Sequence, residues 1–241
     1  MNLEKRKIRE MVWSILEEKG VARFPKPVYG RIPNFEGAEK ACEKIVNLEE
    51  YKRARVVKVS PDSPQYSIRL RCLIDRKKLV MPTPRLREGF LLLDPLNIPK
   101  RFYEKAATIR GAFTFGEKVN PEDLPGIDFI VVGSVAVGRD GSRIGKGEGY
   151  GEIEYAILRE YNRVGEDVMV ATNIHDLQLF DSVPQDPYDV PVDVIATPTK
   201  LIRIPLNKPK PKGIIWELLD SEKLEQIPLL KTLKEKRKSI V

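Results

Sequence analysis

Apolar positions recur along this chain at two spacings, and the alternation between them predicts its elements. Residues 3 to 19 place Ile8, Val12, Ile15 and Leu16 on one stripe of a helix, which Gly20 ends. "GAEKACEKIVNLEEYKRA" repeats that helical spacing, with Ala41, Ile45 and Leu48 inward. "RVVKVS" (55–60) then reads as a strand, "SPQYSIRLRCLIDRKK" as a helix and "LVMP" as another strand. A third unit runs from "FLLLD" into the helix "KRFYEKAATIRG". "DFIVVGSVAV" (128–137), "DVMVATNI" (167–174) and "DVIATP" (193–198) are β-branched apolar runs. Runs apolar on both faces and separated by helices predict a mostly parallel sheet covered on both sides. The expected fold class is therefore α/β, a three-layer α/β/α arrangement. The proline-rich "PLNKPKPKG" (205–213) predicts an extended connector, and a charged helical tail follows it. The expected organisation is one α/β domain over residues 1–204, with connector and tail over 205–241.

Composition narrows the class of protein. With 241 residues, 41% hydrophobic and 32% charged, the chain has an ordinary globular composition and can bury one substantial core. Cys42 and Cys72 stand on predicted helices among apolar neighbours and form no metal or redox motif, so buried free thiols are expected. The opening "MNLEKRKIREMVWSILEEKG" is charged and helical and lacks the apolar run of a signal peptide. No stretch is long and apolar enough to cross a bilayer. A cytoplasmic protein with no membrane partner is the expectation. The net charge of +7 suits nucleic acid, anionic small molecules or a charge-rich surface. The basic residues are spread along the chain and no stacked-aromatic RNA-binding signature occurs, which argues against dedicated nucleic-acid binding.

Six of the sixteen glycines fall between Gly138 and Gly151, in "GRDGSRIGKGEGYG". This stretch follows the apolar run 128–137 and leads into "EIEYAILREY", where Ile153, Ile157 and Tyr161 share a helical face. A strand, a glycine-rich loop and a helix start together make an anion site. Loop amides can approach phosphate oxygens closely, and the helix start adds unpaired N–H groups and partial positive charge. Arg143 and Lys146 add full charges. The spacing Gly145-x-Gly147-x-Gly149 matches neither the Walker A nor the Rossmann pattern. The residues alone leave a hairpin or bulge-rich turn without ligand as the alternative.

The order Gly141-x-Arg143-Ile144-Gly145-Lys146-Gly147-x-Gly149-Tyr150 resembles the signature G-x-R-[LM]-G-x-G-x-G-[YF]-Y-D of the 5-formyltetrahydrofolate cyclo-ligases (methenyltetrahydrofolate synthetases), where it forms the ATP-binding loop. "KRKIRE" resembles that family's opening basic helix, whose phosphate-holding Lys and Arg correspond to Lys5 and Arg9. "YDVPVDVIATPT" resembles its H-D-x-x-V-D-x-[IL]-[IL]-T, whose first Asp is a magnesium ligand and corresponds to Asp189. "PTPRLREG", "HDLQL" and "KPKPKGI" are similar to the archaeal-type branch and to the methenyltetrahydrofolate-synthase-domain proteins. Two positions depart from the pattern. The family's Tyr-Tyr-Asp reads Tyr150-Gly151-Glu152, and "SPDSPQYSIR" lacks the folate-contacting glutamate expected after the second strand.

The resemblance implies a sheet like that of the NagB/RpiA/CoA-transferase-like fold, a reduced folate or pterin as small-molecule substrate, and ATP with magnesium. It assigns Lys5, Arg9, Arg143 and Lys146 to phosphate, and Gly145, Gly147 and Gly149 to close backbone. Tyr150 is placed with Lys146 near the reacting centre, and Glu152 and Asp189 at magnesium. Each has a plainer alternative: Lys5 and Arg9 as a solvated helix stripe, Asp189 as turn chemistry, Glu152 as the acid favoured at a helix start. Arg85 and Arg87 suit a folate glutamate tail or a solvated loop. His175 suits a cap or structural role better than catalysis. A nucleotide- or pterin-binding relative without turnover, and a basic RNA-associated protein, stay open as other functions.

Overall fold

The computed structural model describes residues 3–205 and 208–238. Met1, Asn2, Leu206, Asn207 and residues 239–241 lie outside the described residues, and with them parts of the expected connector and tail. Among the described residues, eight strands form the main sheet. Their spatial order is Leu201–Arg203, Val194–Ala196, Val164–Asn173, Ile127–Val132, Val56–Val59, Lys78–Pro82, Phe90–Leu93 and Glu117–Val119. The run from Val194–Ala196 to Lys78–Pro82 is parallel throughout, and antiparallel strands flank it on both sides.

Alternation along the strands builds the layers. Successive side chains point to opposite faces of a sheet, so strands buried on both faces feed two cores. Val57, Val59, Leu79, Met81, Phe129 and Val131 meet the helices Ala38–Val46 and Tyr66–Ile74 in one apolar cluster. Val56, Val80, Ile130 and Val132 meet Ile157 and Leu158 of the helix Tyr150–Glu160 in another. The result is the three-layer α/β/α fold with a mostly parallel sheet. Cys42 and Cys72 are buried free thiols on the first side. Burial pushes both up to about 12, so neither is a thiolate at neutral pH. Among the described residues no helix is long and apolar enough to cross a membrane.

Four local expectations are corrected. The run 128–137 is two strands, because the chain leaves the main sheet at Gly133. A Cβ there would stand 2.8 Å from the Asp62 carboxylate and 3.0 Å from Ile32, so the chain turns through a crowded point. The continuation Ala136–Gly138 joins a separate sheet with Arg143–Ile144 and Leu179–Phe180. "FLLLD" pairs antiparallel with Lys78–Pro82, since the short connection between them can close only a hairpin-like return. "GAEKACEKIVNLEEYKRA" holds two helices, Ala38–Val46 and Glu49–Arg53, separated at extended Leu48. "KRFYEKAATIRG" breaks at Thr108, whose hydroxyl accepts from Gly111 N–H at 2.9 Å and starts a fresh helix, Ile109–Phe115.

The first helix, Leu3–Glu18, packs on the small sheet: Val12, Trp13 and Leu16 join Ala136, Ile144 and Val135 in a third cluster. This brings the first helix beside the glycine stretch. The C-terminal helices Ser221–Gln226 and Pro228–Lys238 return to the face that carries Tyr150–Glu160, where Ile227 and Leu230 are wholly buried.

Candidate active site

Parallel α/β sheets leave a crevice at the carboxyl ends of their strands. Here Ser60–Asp62 leave one central strand and Val132–Gly133 end its neighbour, and both border a cleft of about 1060 Å³. The ten residues that the resemblance assigns to ATP, magnesium and the reacting centre all line this cleft: Lys5, Arg9, Arg143, Gly145, Lys146, Gly147, Gly149, Tyr150, Glu152 and Asp189. Separations of more than a hundred residues in sequence are closed by the small sheet and by the first helix packed on it.

The glycine stretch divides in two. Its first part is a hairpin, with Gly138 N–H donating to Ser142 O at 2.7 Å and Ala136–Gly138 pairing with Arg143–Ile144. Only residues 145–149 form the loop, and Gly149 caps the helix Tyr150–Glu160 with φ 72°. Gly147 has φ 102°, and a Cβ on it would lie 3.1 Å from the guanidinium carbon of Arg9. Glycine is required there both by the backbone angle and by the cation pressed against it. Ile153 N–H donates to Gly149 O at 3.2 Å, and the N–H groups ahead of it, at the helix start, have no intrahelical acceptor.

Lys5 and Arg9 are four apart and share the inward face, whereas Arg6 and Glu10 pair on the exposed one. The solvated-stripe alternative does not hold for them: they are 5% and 8% exposed. Arg9 Nε–H donates to Gly145 O at 2.7 Å and so ties the first helix to the loop. Lys5 Nζ pairs with Asp186 at 2.7 Å and with Asp189. That bond holds Asp186 below the usual carboxylate range. The stability it contributes is present above the ordinary aspartate pKa of about 3.9 and is lost as pH falls through the lowered value. Asp189 also accepts from Asp186 N–H at 2.6 Å, so its turn role and its place in the cleft coexist.

Arg143 is 3% exposed, and each of its three nitrogens is engaged. Nε donates to Val190 O at 3.3 Å, Nη1 to Gly133 O at 2.9 Å, and Nη2 to Glu152. Burial pushes its guanidinium down, with Asp189 foremost among the charges that oppose this. Lys146 is the more open cation, paired with Glu148 at 2.6 Å. Among the described residues no group of three or more His, Cys, Asp or Glu side chains forms a ready metal cage.

Several cleft residues escaped the sequence reading. Asp62 lies in the segment that lacks the family's glutamate, its carboxyl pushed up by desolvation with Lys146 as the main opposing charge. Glu154 lines the cleft and pairs there with Lys58, which is 1% exposed and lies behind the lining. A lysine inside the apolar "RVVKVS" was the available signal, since a buried lysine needs a partner. Lys223 and Gln226 reach Tyr150 from the helix Ser221–Gln226. Arg85 is exposed at the cleft rim, and Arg87 is exposed and does not line it. His175 is a cap: its Nδ1 accepts from Leu177 N–H at 3.2 Å, and its own N–H donates to Gln178.

The chain is similar to known proteins. The 5-formyltetrahydrofolate cyclo-ligase family matches residues 2–198. A methenyltetrahydrofolate synthase domain-containing protein of Danio rerio is 43% identical over 232 residues, covering 94% of this chain and 60% of its own. That of Homo sapiens is 39% identical over 239 residues, covering 97% of this chain and 62% of its own. The chain thus spans less than two thirds of the length of these curated relatives. The solution structure of Aquifex aeolicus 5,10-methenyltetrahydrofolate synthetase superposes with a TM-score of 0.53 at 23% identity, covering 90% of this chain and 100% of that one, which shows the shared fold. With the match running from the first basic helix through the glycine loop to the late aspartates, the chain belongs to the 5-formyltetrahydrofolate cyclo-ligase family.

Proposed function

We propose that this protein converts 5-formyltetrahydrofolate, or a related reduced pterin, to 5,10-methenyltetrahydrofolate with ATP and magnesium. The observation that carries this is the meeting of Lys5, Arg9, the loop 145–149 and Asp189 in one cleft at the strand ends. In the reaction the formyl oxygen attacks the γ-phosphorus of ATP and ADP leaves. N10 then attacks the activated formyl carbon, loses its proton, and expels phosphate as the ring closes.

The protein's part is positioning and charge neutralisation, which is most of what phosphoryl transfer requires. Loop amides, the helix start, Lys146 and Arg9 offer a cradle for phosphate oxygens. Arg143 holds Glu152 and the Gly133 turn in place beneath it. Asp62 offers a carboxyl for the N–H donors of a pterin, in the segment without the family's glutamate.

Magnesium is bound to nucleotide sites through one or two carboxylates plus phosphate oxygens, so a pre-built cage is unnecessary. Glu152 and Asp189 fit that demand. Each is largely buried and ion-paired, with side-chain exposures of 13% and 7%. When bound, the metal supplies positive charge against the phosphates.

Turnover tests the proposal directly. With 5-formyltetrahydrofolate, ATP and magnesium, phosphate release and methenyl absorbance are expected to rise together. Binding of ATP without methenyl product, also with other reduced pterins, would overturn it in favour of a non-catalytic binder. Lys146→Ala is expected to weaken ATP binding by about 1–3 kcal/mol, the loss of a charge-assisted hydrogen bond. The uncompensated Glu148 adds to that loss. Equal affinities by calorimetry, with the fold unchanged, would remove Lys146 from the site.

A further inference from the structure

The C-terminal segment lies beyond the family-matched residues 2–198, yet it forms one wall of the cleft. Ile215, Leu218 and Leu219 face the cavity, and the helix Ser221–Gln226 follows them. From that helix Lys223 places its Nζ 3.7 Å from the centre of the Tyr150 ring. One turn on, Gln226 Oε1 accepts from the Tyr150 hydroxyl at 3.2 Å. The amide of Gln226 is itself oriented, because its Nε2 donates to Glu222 at 2.7 Å, which leaves the oxygen for Tyr150. Asp220 caps the helix, accepting from Glu222 N–H at 2.9 Å.

Anchoring makes these contacts durable. Ile227 and Leu230 are 0% exposed and share an apolar cluster with Leu86, Phe90 and Ile157. The helix that carries Lys223 has no buried residue of its own, and it is held at the cleft by the buried Ile227 and Leu230 that follow it. Tyr150 is the first residue of the helix that follows Gly149, so its ring joins the phosphate loop to this segment. A tyrosine ring is left with little freedom when an ammonium sits over its face and its hydroxyl has a directed acceptor.

We infer that Lys223 and Gln226 are positioning residues of the active site, which act through Tyr150, and that the C-terminal segment is a working part of the cleft. The kinetic arm of the test rests on the cyclo-ligase proposal, whereas the binding arm stands without it. Lys223→Met keeps the apolar stem and removes the charge. Gln226→Leu removes the acceptor, and Lys223→Arg keeps a cation over the ring. In the full chain, kcat is expected to fall about 10–100-fold in Lys223→Met and Gln226→Leu, as for a misplaced active-site group. The KM for ATP should stay within about twofold, and Lys223→Arg should recover most of the lost rate. A merely structural role would lower the melting temperature, leave kcat per folded molecule unchanged and show no rescue by arginine. Rates within about twofold of the parent in every variant overturn the inference while leaving the cyclo-ligase proposal intact.

If the parent makes no methenyl product, calorimetry with magnesium–ATP and with 5-formyltetrahydrofolate decides instead. Lys223→Met is then expected to weaken binding of at least one of them about tenfold, with recovery in Lys223→Arg. Unchanged affinity for both overturns the inference on this arm.

Discussion

Replacing Glu152 by Gln together with Asp189 by Asn is expected to remove methenyl formation, by about three orders of magnitude or more. A catalytic metal contributes several kcal/mol of charge stabilisation, and each 1.36 kcal/mol is about tenfold in rate. Both side chains serve as ion-pair partners in the cleft, Glu152 to Arg143 and Asp189 to Lys5. Their amide replacements keep an oxygen that can still accept a hydrogen bond from the cation, so the exchange is gentler than truncation. It nevertheless removes the carboxylate paired with Arg143 and one of the two paired with Lys5, which keeps Asp186 at 2.7 Å, so some stability is lost as well. The measurement that separates the effects is ATP affinity with and without magnesium. In the parent, magnesium should tighten binding, whereas in the double variant it should not. Full turnover, or an undiminished magnesium effect in a folded double variant, would remove these carboxylates from the metal's neighbourhood.

The second large effect falls on stability. Lys58→Ala is expected to lower the free energy of unfolding by about 3–5 kcal/mol, the usual cost of breaking a buried ion pair by removing one partner. Lys58 extends from a central parallel strand on the same face as Val56, and meets Glu154 on the helix Tyr150–Glu160. Its side chain is 2% exposed and that of Glu154 is 8% exposed, so the orphaned carboxylate would have little water to replace its partner. The paired replacement Lys58→Met with Glu154→Leu is expected to be close to neutral or stabilising, because it removes both desolvation costs and keeps the volume. Urea unfolding of the three proteins checks this. A loss below about 1 kcal/mol in Lys58→Ala would mean that Glu154 is solvated through the cleft or re-paired.

The same pair shows how far sequence reasoning reaches. The α/β class was legible because strands apolar on both faces must be covered on both faces, a local pattern with a global consequence. Helix existence was legible as well, for instance over residues 3 to 19. Breaks within apparent helices were not, because Thr108 and Leu48 act through local hydrogen bonds and backbone angles that apolar spacing does not record. The antiparallel return of Phe90–Leu93 was missed for a similar reason: the direction of a strand is decided by how its connection closes.

By itself the sequence determined the layered fold, the glycine loop and the family, since each is carried by residue types at short spacings. The identities of Lys5, Arg9, Lys146, Glu152 and Asp189 as candidates also lay in the motifs. Only the tertiary structure decided that Lys5 and Arg9 face inward, that Arg143 braces Glu152 instead of standing open, and that Asp62 and Glu154, the partner of Lys58, border the same cleft. It alone returned Lys223 and Gln226 to Tyr150, across 73 and 76 residues of chain. The physical reason is that a helix stripe or a strand run is set by neighbours along the chain. A charge's partner is set by which surfaces the apolar clusters press together, and no local spacing encodes that.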